Sequence, residues 1–355
     1  MITILSFIFV IGVVVFLHEL GHFLAAKSVG VKVEKFYLGF NFFGLGIKKI
    51  YKDTEYGIGL FPLGGYVKVA GVIDESMDSN FTGGPDEFRS KNTFEKIWIM
   101  SAGVIMNFIL SIFLFSHLTF YGGIHEPDPR PIIGQLLPEY PAENIGIKIG
   151  DEIISINGQK ISTWDDMTKE IHSKPNEWMK ISWMHENEFY SDSIKTQLAD
   201  QLPWDKEIQK GVIGIAPIYN KRDASLGESF TNGVKQTFYW LDMTCKSLIS
   251  LITGNVSMKE MAGPIMIAKM AGETASEGGM FALLGLMAII SVNLGLINIL
   301  PVPGLDGGHV LIALIEGVIR RELPLKIKLG IQQIGLLLLL ILFFTIMFND
   351  IQRLM

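Results

Sequence analysis

Met1-Ile-Thr-Ile-Leu-Ser-Phe-Ile-Phe-Val-Ile-Gly-Val-Val-Val-Phe-Leu-His18-Glu19-Leu20-Gly21-His22 is an uncharged apolar run that ends in two histidines and a glutamate. The stretch from Met1 to Leu17 is long enough, with the residues that follow, to enter the hydrocarbon core of a bilayer as a helix. Ionisable groups at that depth are costly and persist where they pair, face a wet cavity or coordinate something. On a helix, positions four apart share a face, so His18 and His22 can aim both imidazoles at one ion with Glu19 beside it. Neutral imidazole suits Zn²⁺, and a catalytic zinc site needs a third protein ligand and an open position. Glu19 then reads as a general base. Two histidines satisfied by backbone and water at the end of a span would leave the embedded glutamate unexplained. A secretory signal peptide would need a basic stretch ahead of the apolar one, and residues 1–5 have none, so the segment is expected to remain in the protein.

The composition fits an integral membrane protein carrying a soluble module. The 355 residues are 49% hydrophobic, and the mean hydropathy of +0.35 is too apolar for an ordinary soluble domain. The middle third nevertheless reads as soluble. A formal net charge of −6 gives no electrostatic footprint for nucleic acid. Cys245 is alone, which excludes an internal disulfide, a cysteine-rich zinc site and a redox pair, and it reads as a small buried hydrophobe.

Four spans are expected, at about Ile2 to Ala26, Ile97 to Phe120, Phe281 to Leu300 and Ile331 to Phe348. Lys27, Lys32, Lys35, Lys48, Lys49, Lys52, Lys68, Arg89 and Lys91 lie between the first two, and Arg320, Arg321, Lys326 and Lys328 between the last two. The positive-inside rule therefore puts both loops in the cytoplasm, and both termini and the long segment 121–280 outside. At ~1.5 Å per residue His18 lies about 25 Å down its helix, near the cytoplasmic side of the hydrocarbon. The third span ends on that side, and Asp306 follows it at the matching level. His309 is a rival ligand on spacing.

Several stretches now align. His18-Glu-Leu-Gly-His22, Pro62-Leu-Gly-Gly-Tyr-Val-Lys68, Gly103 to Asn107, Gly263-Pro264-Ile265, Ser291-Val-Asn-Leu-Gly295 and Leu305-Asp-Gly307 run from the first span to the last. Together they resemble the bacterial site-2 protease family, the RseP-like intramembrane zinc metalloproteases. The resemblance implies that Asp306 is the third zinc ligand beside His18 and His22, with His309 off the metal. It implies that Asn293 and Asn298 hold the substrate backbone. It also implies that the stretch Tyr56 to Ala70, with Gly64, Gly65 and Tyr66, is a membrane-re-entrant hairpin that binds substrate by β-addition. The family's Gly-Phe-Gly element reads Gly39-Phe40-Asn41 here, and the Leu-Asp-Gly stretch has Gly304 at its variable position.

Pro141-Ala142, Gly146 and the run from Gly150 to Gly158 resemble bacterial PDZ domains, with Asn157-Gly158 suited to a hairpin turn and a helix expected at Trp164 to His172. Residues from about Arg130 to Pro217 leave room for one such domain, where the best-known relatives carry two in tandem. Ser225 to Ile252 has the pattern of an amphipathic helix at the outer interface, with Tyr239 and Trp240 at headgroup level.

The expected fold is thus an α-helical integral membrane protein with four transmembrane helices, a re-entrant β-hairpin and one extracytoplasmic PDZ domain. Its divisions are 1–122 (first two spans and hairpin), 123–220 (PDZ), 221–280 (amphipathic linker helices) and 281–355 (last two spans with the Leu-Asp-Gly motif). The expected function is zinc-dependent cleavage of single-span membrane proteins, such as anti-sigma factors or remnant signal peptides, in the bacterial cytoplasmic membrane. The competing reading is a non-proteolytic PDZ scaffold with structural zinc, which would have no use for Glu19 as a base.

Overall fold

The computed structural model describes residues 1–41, 46–72, 83–199 and 210–354, and the side chains of all of these except 61–63. They form two compact units, one made of Met1–Thr119, Leu226–Cys245 and Ser257–Met355, the other of Phe120–Ser225 and Lys246–Val256.

The first unit begins with α1 (Ile2–Ser28), whose apolar run ends at Lys27. Four strands follow: β1 (Val33–Phe40), β2 (Gly46–Tyr51), β3 (Thr54–Gly59) and β4 (Phe61–Val69). The sequence predicts one hairpin within 56–70, whereas β3 and β4 do not pair with each other. The sheet order is β2-β3-β1-β4, with β3 parallel and β4 antiparallel to β1. The chain passes around the end of β1 at residues 59–61. Gly59 makes this possible, because a Cβ there would collide with the carbonyls of Gly39 and Phe40. β4 is consequently an edge strand, and it runs against α1.

α2 (Thr93–Gly122) opens on a reciprocal cap, in which Asn92 Oδ1 accepts from Glu95 N at 3.0 Å and Glu95 Oε2 accepts from Asn92 N at 2.9 Å. It crosses α1 at Gly21, where a Cβ would strike the Ala102 backbone. Val31, Val33, Val69, Ile99 and Met100 fill the wedge between these helices and the sheet.

The second unit starts with β5 (Ile124–Pro127) and β6 (Ile133–Leu136), then a short helix α3 (Pro141–Asn144). β7 (Glu152–Ile156) turns into β8 (Gln159–Lys160) through Asn157 and Gly158, whose φ values of 50° and 80° suit a two-residue hairpin. α4 (Trp164–His172) starts where predicted, with Thr163 accepting from Asp166 N. The rest comprises β9 (Trp178–His185), β10 (Glu188–Lys195), β11 (Gln197–Leu198), β12 (Gly211–Val212), β13 (Ile215–Pro217) and β14 (Tyr219–Arg222). A sheet of order β10-β9-β7-β8 covers a core that includes Ile133, Ile153, Ile156, Met167, Ile181 and Ile194. β5 pairs with β14, so the two ends of the 124–222 segment lie side by side.

α5 (Leu226–Ile252) is one long helix. The sequence reading leaves its polar face to water, but within the first unit that face is spent on hydrogen bonds. Asn232 donates to Thr119 Oγ1 at 2.7 Å, Ser111 and Thr237 hydroxyls meet at 3.2 Å, and Thr244 donates to Asn293 Oδ1 at 2.6 Å. Gly233 allows the approach, since a Cβ there would press on Ser116 and the Ile112 carbonyl. α6 (Pro264–Ile299) is broken at Gly279, with φ 64° and ψ −159°, so the part that follows is the span predicted from Phe281. α7 (Asp306–Ile319) is an apolar helix that the sequence reading does not assign, and α8 (Leu325–Leu354) completes the chain. Among the described residues four helices, α1, α2, α6 and α8, are long and apolar enough to cross a membrane.

Asp350, fully buried near the end of α8, accepts from the backbone N–H groups of Gly263, Ile265 and Met266 at 3.0, 3.0 and 3.1 Å. It thereby caps α6 with a negative charge at the positive end of the helix. Asp350→Ala should cost roughly 2–4 kcal/mol, because several charge-assisted bonds go at once and buried donors are left bare. The check is a thermal melt in detergent, in which Asp350→Asn should fall between parent and alanine. A melt unchanged in both would mean that this terminus is not clamped.

Candidate metal centre

α1 presents His18 and His22 on one face, both buried, towards α2 and the start of α7. Asp306 is the first residue of α7 and arrives beneath the end of α6 because Gly307 and Gly308 follow it. A Cβ on either would run into the carbonyls of Ile299, Leu300 or Val302. His18 Nε2 and Asp306 Oδ2 are 3.1 Å apart, His22 Nε2 and the same oxygen 3.2 Å, and the two Nε2 atoms 3.3 Å. A tetrahedral site with bonds of ~2.0–2.1 Å has edges of roughly 3.3 Å, so the three donors stand like the corners of one face of it. Two imidazole nitrogens and a carboxylate oxygen facing one another in a buried place also form a donor set suited to a cation between them. His18, His22 and Asp306 are the group of histidine, cysteine and acidic side chains among the described residues that could hold a metal ion.

α2 shapes the other side. His22 Nδ1 donates to the Ile99 carbonyl at 2.8 Å, which leaves Nε2 free as a ligand atom. A Cβ on Gly103 would lie 2.7 Å from His18 Cε1, so glycine makes the room that the two rings occupy. The side-chain amide of Asn107 lies 3.2 Å from His18 Nδ1. The sequence reading does not single out Ile99, and it names Asn107 as the end of a motif stretch without giving it a role, although an asparagine inside a predicted span is itself a signal of function.

Glu19 sits on the flank of α1 that meets β4. A Cβ on Gly65 would come within 3.3 Å of Glu19 Cγ and 2.8 Å of the Tyr37 carbonyl oxygen, so Gly65 sets the spacing between edge strand and glutamate. Gly64 has φ +135°, and a Cβ there would meet the Phe40 ring at 2.7 Å. Tyr66 stacks on Tyr37, centroids 5.1 Å apart and planes 4° from parallel. Burial, then the bond to Glu55, pushes the Tyr37 phenol up to about 12, while the Tyr37 hydroxyl holds the Glu55 carboxyl below its usual range.

If the site works as the resemblance implies, Gly65→Val should shift β4 away from α1 and slow cleavage roughly tenfold to a hundredfold without removing zinc, since displacements of about 1 Å have that effect on positioned groups. Turnover and zinc content measured on the same preparation check it, and parent-like turnover would exclude β4 from the reaction.

The two asparagines named from the sequence part ways. Asn298 Nδ2 is 3.2 Å from His18 Nε2, at the donor triangle, whereas Asn293 Oδ1 is held by Thr244 of α5. His309 Nε2 lies 3.0 Å from Gln332 Nε2 and is not among the three grouped donors. Further along α7, Glu316 is buried between Lys328 at 2.5 Å and Lys96 at 3.8 Å, which ties α7 to α8 and α2.

The chain is similar to known proteins. Among curated relatives, a chain of Campylobacter jejuni provisionally named a zinc metalloprotease is 33% identical over 98% of this chain and 93% of its own length. Zinc metalloprotease RasP of Geobacillus kaustophilus is 29% identical over 99% of this chain and 98% of its own. Among solved structures, the PDZ domain of an SdrC-like protein of Listeria monocytogenes is 21% identical and covers 27% of this chain and 94% of that one, with a TM-score of 0.22. Residues 6–342 match peptidase family M50. With that match along nearly the whole sequence, and relatives named for zinc-dependent proteolysis over the same length, the chain belongs to peptidase family M50 and is a multi-pass membrane zinc metalloprotease.

Proposed function

We propose that this metalloprotease cleaves peptide bonds within the membrane, in the spanning segments of single-span membrane proteins already shortened outside, such as anti-sigma factors or remnant signal peptides. The observation that carries the reading is the triangle of donors formed by His18 and His22 of the apolar helix α1 and Asp306 of α7, with Glu19 on the flank of α1 that meets the edge strand β4. In this reading the three residues hold zinc. Zinc in such a site polarises a carbonyl oxygen and acidifies water. Glu19 takes the proton of the attacking water and returns it to the leaving amine. Asn298 donates towards the reacting carbonyl, and Gly65 keeps β4 close enough for an extended peptide to add to its edge.

By the distribution of basic residues, the glutamate end of α1 faces the cytoplasm, and the second unit lies outside the bacterial cytoplasmic membrane. Its strand order and hairpin support a PDZ-like module. A cleft of about 290 Å³ beside α4, lined by Tyr140, Ile171, His172 and Val212 among others, is a place for an extended peptide. Burial, then the charge of Lys210, keeps the His172 imidazole below its usual value and therefore neutral there.

The test is a series of single-span substrates that differ only in helix stability near the scissile bond, cut in detergent and in liposomes. A spanning helix hides its carbonyls in internal hydrogen bonds, and Gly costs about 1 kcal/mol relative to Ala in a helix interior, about fivefold in the opened population. Each added glycine should raise the rate by that order. Rates indifferent to helix stability, or no cleavage of spanning segments at all, would overturn the reading.

A further inference from the structure

Ile99, Gly103 and Asn107 are spaced by four and form one stripe of α2 against the two imidazoles. The outer two members of the stripe each touch the ring nitrogen that the donor triangle does not use, Ile99 through its carbonyl on His22 Nδ1 and Asn107 through its amide on His18 Nδ1. A carbonyl can only accept, so His22 carries its proton on Nδ1. For His18 to give Nε2 to the same ion, its proton must also sit on Nδ1, and that N–H needs an acceptor. The structure turns Asn107 Nδ2 towards it and leaves Asn107 Oδ1 buried with no partner. A half-turn of the amide exchanges the two atoms and moves nothing else. Either orientation leaves one half of the amide bare, so His18 decides between them: a donor facing a donor repels, whereas oxygen inward gives N–H···O. Asn107 is fully buried, and its backbone carbonyl receives Ser291 Oγ at 2.8 Å, which fixes where the side chain starts.

We propose that Asn107 is a positioning residue whose amide oxygen accepts from His18 Nδ1–H, setting the tautomer that presents His18 Nε2 to zinc. The inference rests on the zinc reading above. It makes α2 the source of both outer hydrogen bonds of the centre, one from backbone and one from a side chain. Outer partners of this kind orient a ligand and raise its basicity, and their loss weakens metal binding by about 10–100-fold.

The experiment is competition with a zinc chelator on full-length protein in detergent, for the parent, Asn107→Leu, Asn107→Asp and His18→Ala. It is joined by ¹⁵N spectra of histidine-labelled, metal-free protein that locate the His18 proton. Leucine has the same branching and number of heavy atoms without hydrogen bonding and should weaken zinc about 10- to 100-fold. Aspartate accepts but cannot donate and should hold zinc within about threefold of the parent, or more tightly. The parent's His18 proton should be on Nδ1. If His18→Ala keeps the parent's affinity, the ligand reading itself fails. If His18→Ala loses zinc while Asn107→Leu stays within about twofold of the parent, the asparagine only fills space and the proposal is overturned. Aspartate no better than leucine would make Asn107 a donor and overturn it as well. Should the leucine variant fail to fold, the aspartate variant and the parent spectrum still decide, because a parent His18 without a proton on Nδ1 refutes the assignment.

Discussion

Glu19→Gln should leave an enzyme that binds about one zinc per chain and still captures substrate, yet cuts it roughly 10²–10⁴ times more slowly. That range is what a positioned general acid–base group contributes to a rate. The substitution keeps the shape of the side chain, so its spacing from Gly65 on β4 and the backbone of α1 should not change. What it removes is the only carboxylate adjacent in sequence to the two α1 donors. The effect should fall on kcat with little change in KM, because the lost interaction is with the migrating proton. Single-turnover cleavage of a spanning substrate, with zinc measured on the same sample, checks it. Undiminished turnover would remove Glu19 from the mechanism.

Asp306→Ala should abolish stable zinc binding and activity together. One of three protein donors disappears, and the loss in affinity should exceed the ~10–100-fold that an outer hydrogen bond is worth. His309→Ala provides the contrast. His309 lies on the same first turn of α7 as Asp306, yet its ring rests against Gln332 instead of in the donor triangle. Zinc content after dialysis against a chelator should therefore be near zero for Asp306→Ala and near one per chain for His309→Ala. The reverse pattern would hand the ligand role to the histidine. Because ligand atoms must be free of protons, zinc in the parent should also be released as the pH is lowered.

Hydropathy makes the spanning helices legible, since a run of about 20 apolar residues has few other uses. The pair His18 and His22 is legible for a similar reason, because helical spacing alone puts both rings on one face. What escapes is whatever depends on partners distant in sequence. β3 and β4 look like two arms of one hairpin, and only the insertion of β1 between them, made possible at Gly59, separates them. The polar residues of α5 read as a solvated face, yet Asn232, Thr237 and Thr244 are bonded within the bundle. The resemblance gives Asn293 a role towards substrate, and the bond that its oxygen makes with Thr244 of α5 is not legible in the sequence. α7 follows a proline-rich turn and is too short to register as a span, although it delivers Asp306. Asn107 closes a motif stretch without showing a role there, because its importance arises from the orientation of a ring on another helix.

The donor triangle joins residues far apart in sequence, Asp306 following His22 by 284 positions. A ribosome adding ~5–20 residues per second needs roughly 15–60 s to travel that distance. During this interval the first helix, with its glutamate and both histidines, has been made, but the carboxylate that closes the triangle has not. Proteolytic competence is thus withheld until Asp306 has been made, and a product that stops short of it would be inert.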